Sequence, residues 1–228
     1  MASTYLETKP RFSFRVCHRD PSYYKHPPDA SPSNLKHSCA NTGFKSLLGT
    51  QYISHELVRT LEEIISLGNV LEESQKSKPS AMDTLYFTDK RAQIEEALQV
   101  RCGQEHPTAV SIRVVATMYT NTVFRQLPHA SAVHNKGVLE LNEWLVQTDL
   151  DSYWGNNIKV LLWILFVAGP LTADAEKALY ATLIAGICRN LDITTWSESH
   201  QILREFLWSD ETWEAPCKLL WSMVAVQL

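Results

Sequence analysis

The sequence has no apolar run long enough to cross a membrane. Its most apolar stretch, "VLLWILFVAGP" at residues 160–170, follows Lys159, and a second apolar run covers residues 178–188. A spanning helix needs roughly 18 to 20 apolar residues, and each of these runs has about 11. We therefore exclude a membrane span and predict two short apolar helices joined by "GPLTAD".

A secretion signal and an even set of cysteines are also missing. Residues 1–14 have no apolar core like that of a signal peptide, and the five cysteines are widely spread. Cysteines without a secretory signal are typical of reduced thiols in intracellular proteins. Cys188 and Cys217 lie among apolar residues, so we predict that both are core thiols.

The chain lacks the positive net charge of a typical nucleic-acid-binding domain. Its formal net charge is −4, although residues 1–45 carry a net charge of +4 and half of the 10 prolines. A basic tail that touches nucleic acid is one interpretation, and a solvated arm is the favoured one. The predicted domains are a flexible Pro-rich tail at 1–45 and an all-helical domain, complete or incomplete, at 46–228.

A recognisable metal site is missing as well. Zinc sites usually contain a C-x2–4-C or H-x3–5-H pair, and the sequence offers only a loose cluster near its start: Cys17, His18, His26, His37 and Cys39. We predict no metal site there. His129 and His134 are five residues apart and do not share a helical face, so we interpret them as a helix cap and a partly exposed helix residue.

Catalytic motifs are not found. The sequence contains no G-x-S-x-G, P-loop, G-x-G-x-x-G or H-E-x-x-H motif. The carboxylate pairs at 62–63, 72–73 and 95–96 are predicted to lie on solvated helix faces, because adjacent helical side chains do not converge. We expect neither an enzyme nor a cofactor, and the alternative is a small enzyme whose site is assembled from distant residues.

Helical periodicity, in contrast, runs through most of the chain. Ile53, Leu57, Leu61 and Ile64 recur at steps of three and four, with charged residues between them. Strand-like alternation and a βαβ rhythm are hard to find. The sequence therefore predicts an all-α bundle of about eight helices, at approximately 51–73, 89–100, 107–126, 133–145, 154–167, 173–190, 196–208 and from 216 onward.

Local residues mark several of these helix ends. Pro107 suits the first turn of a helix, and Pro216 is placed at the start of the last one. Thr172 is a predicted N-cap. Thr195 and Glu198 have the spacing of a capping box.

The tryptophans are concentrated in the C-terminal part of the chain. Such aromatics line pockets for apolar ligands, form partner surfaces or fill cores. We favour core packing for these residues: Trp144, Trp154, Trp163, Trp196, Trp208, Trp213 and Trp221.

Three segments, taken in order, resemble the fungal-specific transcription factor domain, which is the regulatory region of zinc-cluster (Zn2Cys6) transcription factors. They are "RVVATMYTNTVFRQLPHASAVH", "LLWILFVAG" and "LIAGICRNLDITTWSESHQILREFLWSDETWEAPCKLLW". The resemblance covers residues 107–228 by motif and 50–106 only by helix pattern. The positions that carry it are Leu161, Leu162, Trp163, Cys188, Arg189, Trp196, Leu207, Trp208 and Trp221.

The resemblance implies a non-catalytic, all-α regulatory domain in the nucleus. Its implied partners are proteins: the transcription machinery, an intact regulator or a second copy. The family's DNA-binding module has six cysteines in two Cys-x2-Cys-x6-Cys repeats, whereas residues 1–50 contain only Cys17 and Cys39. This departure counts against direct DNA binding. The alternatives are a module that senses a small apolar ligand, a truncated and non-functional regulator fragment, and a cytoplasmic location.

Overall fold

The computed structural model describes residues 43–47, 50, 52–76, 81–100, 105–147 and 154–228. No strand is present among these residues, which confirms the predicted all-α fold. Three short 3-10 turns lie at Gly43–Leu47, Gly155–Asn157 and Gly169–Leu171. The α-helices are α1 (His55–Lys76), α2 (Ala81–Gln99), α3 (Pro107–Val123), α4 (Ala132–Gln147), α5 (Ile158–Ala168), α6 (Asp174–Asn190), α7 (Trp196–Leu203) and α8 (Asp210–Ala225).

All of the described residues belong to one compact unit, residues 39–228. Residues 1–42 of the predicted tail, with its five zinc-type residues, lie outside the described residues. Its last three residues belong to the turn Gly43–Leu47, in which Phe44 is buried. The domain boundary near residue 45 therefore stays a prediction.

Several predicted helix ends are wrong. Helix α8 begins six residues before Pro216, which lies inside it, because the acidic first turn after Ser209 starts the helix before the proline is reached. Helix α7 ends at Leu203 instead of near Trp208, since the following chain turns inward and buries Phe206. The residue that caps α6 is Ala173, and the hydroxyl of Thr172 instead donates to the Gly169 carbonyl at 2.8 Å.

Helix α2 begins eight residues before the predicted Asp89, and α1 continues to Lys76, beyond its predicted end. The early part of α2 exposes apolar side chains, including Leu85 and Tyr86. Apolar residues that do not face the core give no helical period, so this half of α2 could not be found from periodicity.

Helix α5 is the centre of the core. All residues of the segment 160–168 are at most 1% exposed, and α5 packs against α3, α6, α7 and α8. A helix that is apolar on every side must be covered on every side. The predicted apolar hairpin is confirmed, with α5 and α6 joined through the turn Gly169–Leu171. In the part of the chain that the structure describes, no helix combines the length and apolar character that a membrane span needs.

Pro170 leaves one carbonyl of α5 without its usual donor. Proline has no backbone N–H, so the Phe166 carbonyl cannot receive the i+4 hydrogen bond of a regular helix. The Cys217 thiol supplies a donor instead, at 3.2 Å from the Phe166 oxygen. Gly169 lets α8 approach this point, because a Cβ there would lie 2.5 Å from the Leu220 Cδ2 atom.

Two arginines join α2 to α3. Arg113 is 8% exposed and forms an ion pair with Glu105. Its Nη1 also donates to the Ala97 carbonyl at 3.3 Å, which satisfies one of the orphan carbonyls in the last turn of α2. After α3, the Arg125 Nε atom donates to Glu95 at 2.7 Å. The prediction that Glu95 is simply solvated is therefore wrong.

Candidate functional site

Five of the residues that carry the family resemblance contact one another in the folded chain: Trp163 with Leu207, and Trp196 with Trp208 and Trp221. Leu161, Leu162 and Trp163 lie on α5, and none of their side chains is exposed. The Trp163 Nε1 atom donates to the Leu207 carbonyl at 2.9 Å, across 44 residues of sequence. Arg189 lies at the surface near the end of α6 and donates to the Gln227 carbonyl at 2.9 Å.

An aromatic cluster, composed of Phe166, Trp196, His200, Trp208 and Trp221, extends from the core to the surface. Trp196 is at its centre, with ring centroids 5.9 Å from Phe166, 6.5 Å from Trp208 and 6.2 Å from Trp221. The His200 ring stacks on Trp196 at 5.4 Å with an interplanar angle of 12°. These contacts fix α7 against α5 and α8.

Asp210 holds the outer edge of the aromatic cluster. Its Oδ1 atom accepts hydrogen bonds from the Trp208 Nε1 at 2.7 Å and the His200 Nε2 at 2.8 Å. Burial opposes ionisation of Asp210, but these hydrogen bonds and the nearby Arg204 outweigh burial and lower its pKa. The carboxylate therefore stays charged and joins the start of α8 to α7.

The seven tryptophans mainly fill space between helices, as the favoured interpretation of the sequence predicts. Trp154, Trp163, Trp213 and Trp221 are buried. Trp208 is half-buried, and of the seven indoles it is the one that lines the large cleft described next.

A cleft of about 510 Å³ lies between α1, the C-terminal end of α3 and the chain that enters α8. This volume is within the usual range for small-molecule sites. One wall is a single face of α1, formed by Ile65, Gly68, Asn69 and Glu72 at helical spacing. The remaining walls come from three segments, 119–129, 206–209 and 211–212.

The cleft combines aromatic surfaces with carboxylates. Tyr119, Phe206 and Trp208 line it together with Glu72 and Glu211. Tyr119 is 4% exposed, and its ring stacks on Trp213 at 6.3 Å. Burial, and secondarily the charge of Glu72, raise the pKa of Tyr119, so the phenol stays neutral beside the carboxylate.

His129 and His134 do not have their predicted positions. His129 lies in the loop before α4 with its ring edge against Trp213 at 5.4 Å, and it is not a cap. His134 is fully buried, so the expectation of partial exposure is wrong; its Nε2 lies 3.5 Å from the Thr122 hydroxyl. Burial lowers the pKa of both imidazoles, with Lys177 adding to the shift at His129 and His129 adding to it at His134.

The predicted core thiols are confirmed. Cys188 and Cys217 are free and fully buried. Burial raises the pKa of Cys188 to about 11 and also raises the pKa of Cys217. Neither thiol is therefore activated as a nucleophile.

The described residues hold no group of three or more histidine, cysteine or acidic side chains that could bind a metal ion. The candidate site in this part of the protein is therefore the cleft and not a metal centre.

Sequence reasoning missed the cleft because its walls come from distant parts of the chain. Glu72, Tyr119 and Glu211 belong to three different helices, and no motif spacing joins them. The available signal was Gly68, a glycine in the middle of an amphipathic helix, which marks either a close contact or an open space.

Comparison of the chain with models of protein families, with curated proteins and with solved structures found no match.

Proposed function

We propose that the chain is a non-catalytic helical regulatory domain that acts through protein contacts in the nucleus, as the resemblance to the fungal-specific transcription factor domain implies. The observation that carries the proposal is that the resembling segments form one packed unit. Trp163 from "LLWILF" bonds to the carbonyl of Leu207 in "REFLW", and Trp196 contacts Trp221 from the last segment. Such contacts are what a single regulatory domain requires of these segments.

Exposed apolar side chains support a role in protein contacts. Leu139 and Val146, seven residues apart in α4, are 61% and 84% exposed. Leu219 and Val226 have the same spacing at the end of α8 and are 73% and 87% exposed. Residues seven apart share a helix face, so each pair places two exposed apolar side chains on one side of its helix, where a partner protein could cover them.

A localisation and transcript experiment tests this proposal. We expect the full chain, fused to a fluorescent protein, to enter the nucleus, and we expect its deletion to change the abundance of specific transcripts. The double variant Leu139→Ser, Val146→Ser should fold and lose the effect. Strictly cytosolic protein, together with unchanged transcripts after deletion, would contradict the proposal.

The cleft favours a second candidate function, in which the domain senses a small ligand. The cleft has the volume of a small-molecule site and aromatic walls. Because Trp208 lines it, ligand binding should change the intrinsic tryptophan fluorescence. A titration with candidate metabolites that leaves the fluorescence of the native chain unchanged would count against this function.

A further inference from the structure

We propose that the cleft binds a small organic cation, with an ammonium group attached to an apolar or aromatic body. The inference rests on the ligand-sensing function proposed above and names the chemical class of its ligand. It replaces the purely apolar ligand that the tryptophan content suggests.

The charged groups of the cleft all have one sign. Glu72 on α1 and Glu211 on α8 contribute carboxylates, and no lysine or arginine is among the residues that line the cleft. Neither glutamate forms an ion pair with any residue in the described ranges. Both side chains are exposed, and their charges give the cleft a negative potential that attracts an ammonium group and repels an anionic ligand.

Tyr119 provides a polar contact in the interior of the cleft. Its side chain is more than nine-tenths buried and lines the cleft, and its ring is fixed by contacts with Phe124 and Trp213. A neutral phenol oxygen accepts a hydrogen bond from an ammonium N–H. The rings of Tyr119, Phe206 and Trp208 add aromatic surfaces that attract cations.

Gly68 keeps the cleft open. Glycine in a helix interior is destabilising relative to alanine, so its presence needs a reason. Close packing does not provide one, because a Cβ at position 68 would meet no heavy atom within 4 Å. The space above Gly68 is part of the cleft, and a longer side chain there would occupy the volume that a ligand needs.

The N-terminal end of α8 also reaches the cleft, and a helix N-terminus attracts anions. Here the first turn of α8 contains Asp210 and Glu211. Their carboxylates offset the positive end of the helix dipole, so the preference for a cation remains.

Three probes with one aromatic body and different charges test the inference on the full chain. They are phenethylammonium, the neutral 2-phenylethanol and the anionic 3-phenylpropanoate, measured by tryptophan fluorescence and calorimetry. We expect phenethylammonium to bind at least about tenfold more tightly than the alcohol, and the carboxylate to bind most weakly. Raising the salt concentration from about 0.05 M to about 0.5 M should weaken the binding of phenethylammonium and not that of the other two probes. Equal affinities for the cation and the alcohol would overturn the inference.

Matched variants place the binding in the cleft. Glu72→Gln and Glu211→Gln should each weaken phenethylammonium binding severalfold, and Gly68→Leu should abolish it. Glu62→Gln removes the same charge from α1 outside the cleft and should bind as the wild type does. Wild-type affinity in both cleft glutamate variants would overturn the inference, with circular dichroism confirming that each variant is folded. The transcript experiment does not use these probes, so its failure and a failure here are distinguishable.

Discussion

Cys217 shows how one side chain completes the backbone hydrogen bonding of a distant helix. Pro170 removes the donor that the Phe166 carbonyl would normally receive, and the Cys217 thiol replaces it at 3.2 Å. Both groups are buried, so water cannot take over this role. Leaving a buried acceptor without a hydrogen-bond partner lowers the stability of the fold. The thiol therefore has a structural function, although it is not activated for chemistry.

Replacing Cys217 with alanine should therefore destabilise the fold by about 1–3 kcal/mol, the usual effect of leaving a buried polar group unsatisfied. The measurement is urea unfolding followed by circular dichroism. Cys188→Ala is the control, because it removes a second fully buried thiol whose polar neighbour is the Ser199 hydroxyl and not a backbone carbonyl. Equal losses of stability in the two variants would show that only packing matters at position 217.

His134 should make the stability of the protein depend on pH. Burial, with a contribution from His129, lowers the pKa of His134 in the folded chain, whereas an unfolded histidine titrates near about 6.5. The unfolded chain therefore binds the proton first, and stability is lost as the pH falls below about 6.5 toward the folded pKa. We expect His134→Gln to flatten the plot of unfolding free energy against pH between about 7 and 5. If His134→Gln leaves the slope of unfolding free energy against pH unchanged, His134 is not the source of the pH dependence. His55→Gln is the control, because His55 is exposed.

Residue environments were predictable where the neighbours in sequence determine them. Cys188 and Cys217 were found as core thiols because apolar residues surround them in the sequence. His134 was not, since its burial depends on α3 and Thr122, 12 residues away. The cleft residues Tyr119 and Glu211 show the same limit, because only the fold brings them together.

At the scale of single elements, the capping box and the helix start at Pro107 were predicted correctly, whereas the N-cap at Thr172 and the helix start at Pro216 were not. The predicted capping box is confirmed: the Glu198 N–H donates to the Thr195 hydroxyl at 3.3 Å, and the Thr195 N–H donates to the Glu198 carboxylate at 2.9 Å. Backbone hydrogen bonds from Thr194 and Thr195 lower the pKa of Glu198. The start of α8 was predicted wrongly at Pro216 because proline is common at helix starts. In the structure the helix already begins with the acidic turn at Asp210.

The end of α6 contains a Schellman motif with an unfavourable residue. The Ile193 N–H bonds to the Cys188 carbonyl at 2.8 Å and the Asp192 N–H bonds to the Arg189 carbonyl at 3.5 Å, which is the pattern of this cap. Asp192 occupies the left-handed position with φ 55°. Glycine is preferred there because it has no Cβ to clash.

Asp192→Gly should therefore stabilise the protein by about 0.5–1 kcal/mol. The strain energy that glycine removes from the folded chain is larger than the entropic stabilisation that it gives to the unfolded chain. The expected sign is an increase in the midpoint of thermal and urea unfolding. Asp192→Ala separates the two effects: it removes the carboxylate but keeps a Cβ, so it should give no such gain. A stabilisation of equal size in the alanine variant would mean that charge, and not backbone conformation, limits this cap.

At the scale of the whole molecule, the sequence indicated which helix is central. Among the helices that the structure describes, α5 is the one whose segment 160–168 is buried throughout, and it packs against α3, α6, α7 and α8. The order of the outer helices around it was not predictable, because an amphipathic helix shows which face is buried without showing what covers that face. The function was not predictable from helix patterns either, and the function that the family resemblance implies remains a proposal.

Helix α2 lies at the edge of this arrangement, packed mainly on α1 and α3, so its attachment should depend strongly on Arg113. Removing one partner of a buried ion pair costs about 3–5 kcal/mol, because the other charge is left unpaired. We expect Arg113→Met to lose stability in this range and to speed hydrogen exchange in α2 more than in α5. The double variant Arg113→Met, Glu105→Leu removes both charges and should recover much of the loss. If the double variant is as unstable as the single one, the loss comes from the missing bond between Arg113 and the Ala97 carbonyl of α2, and not from the unpaired charge of Glu105.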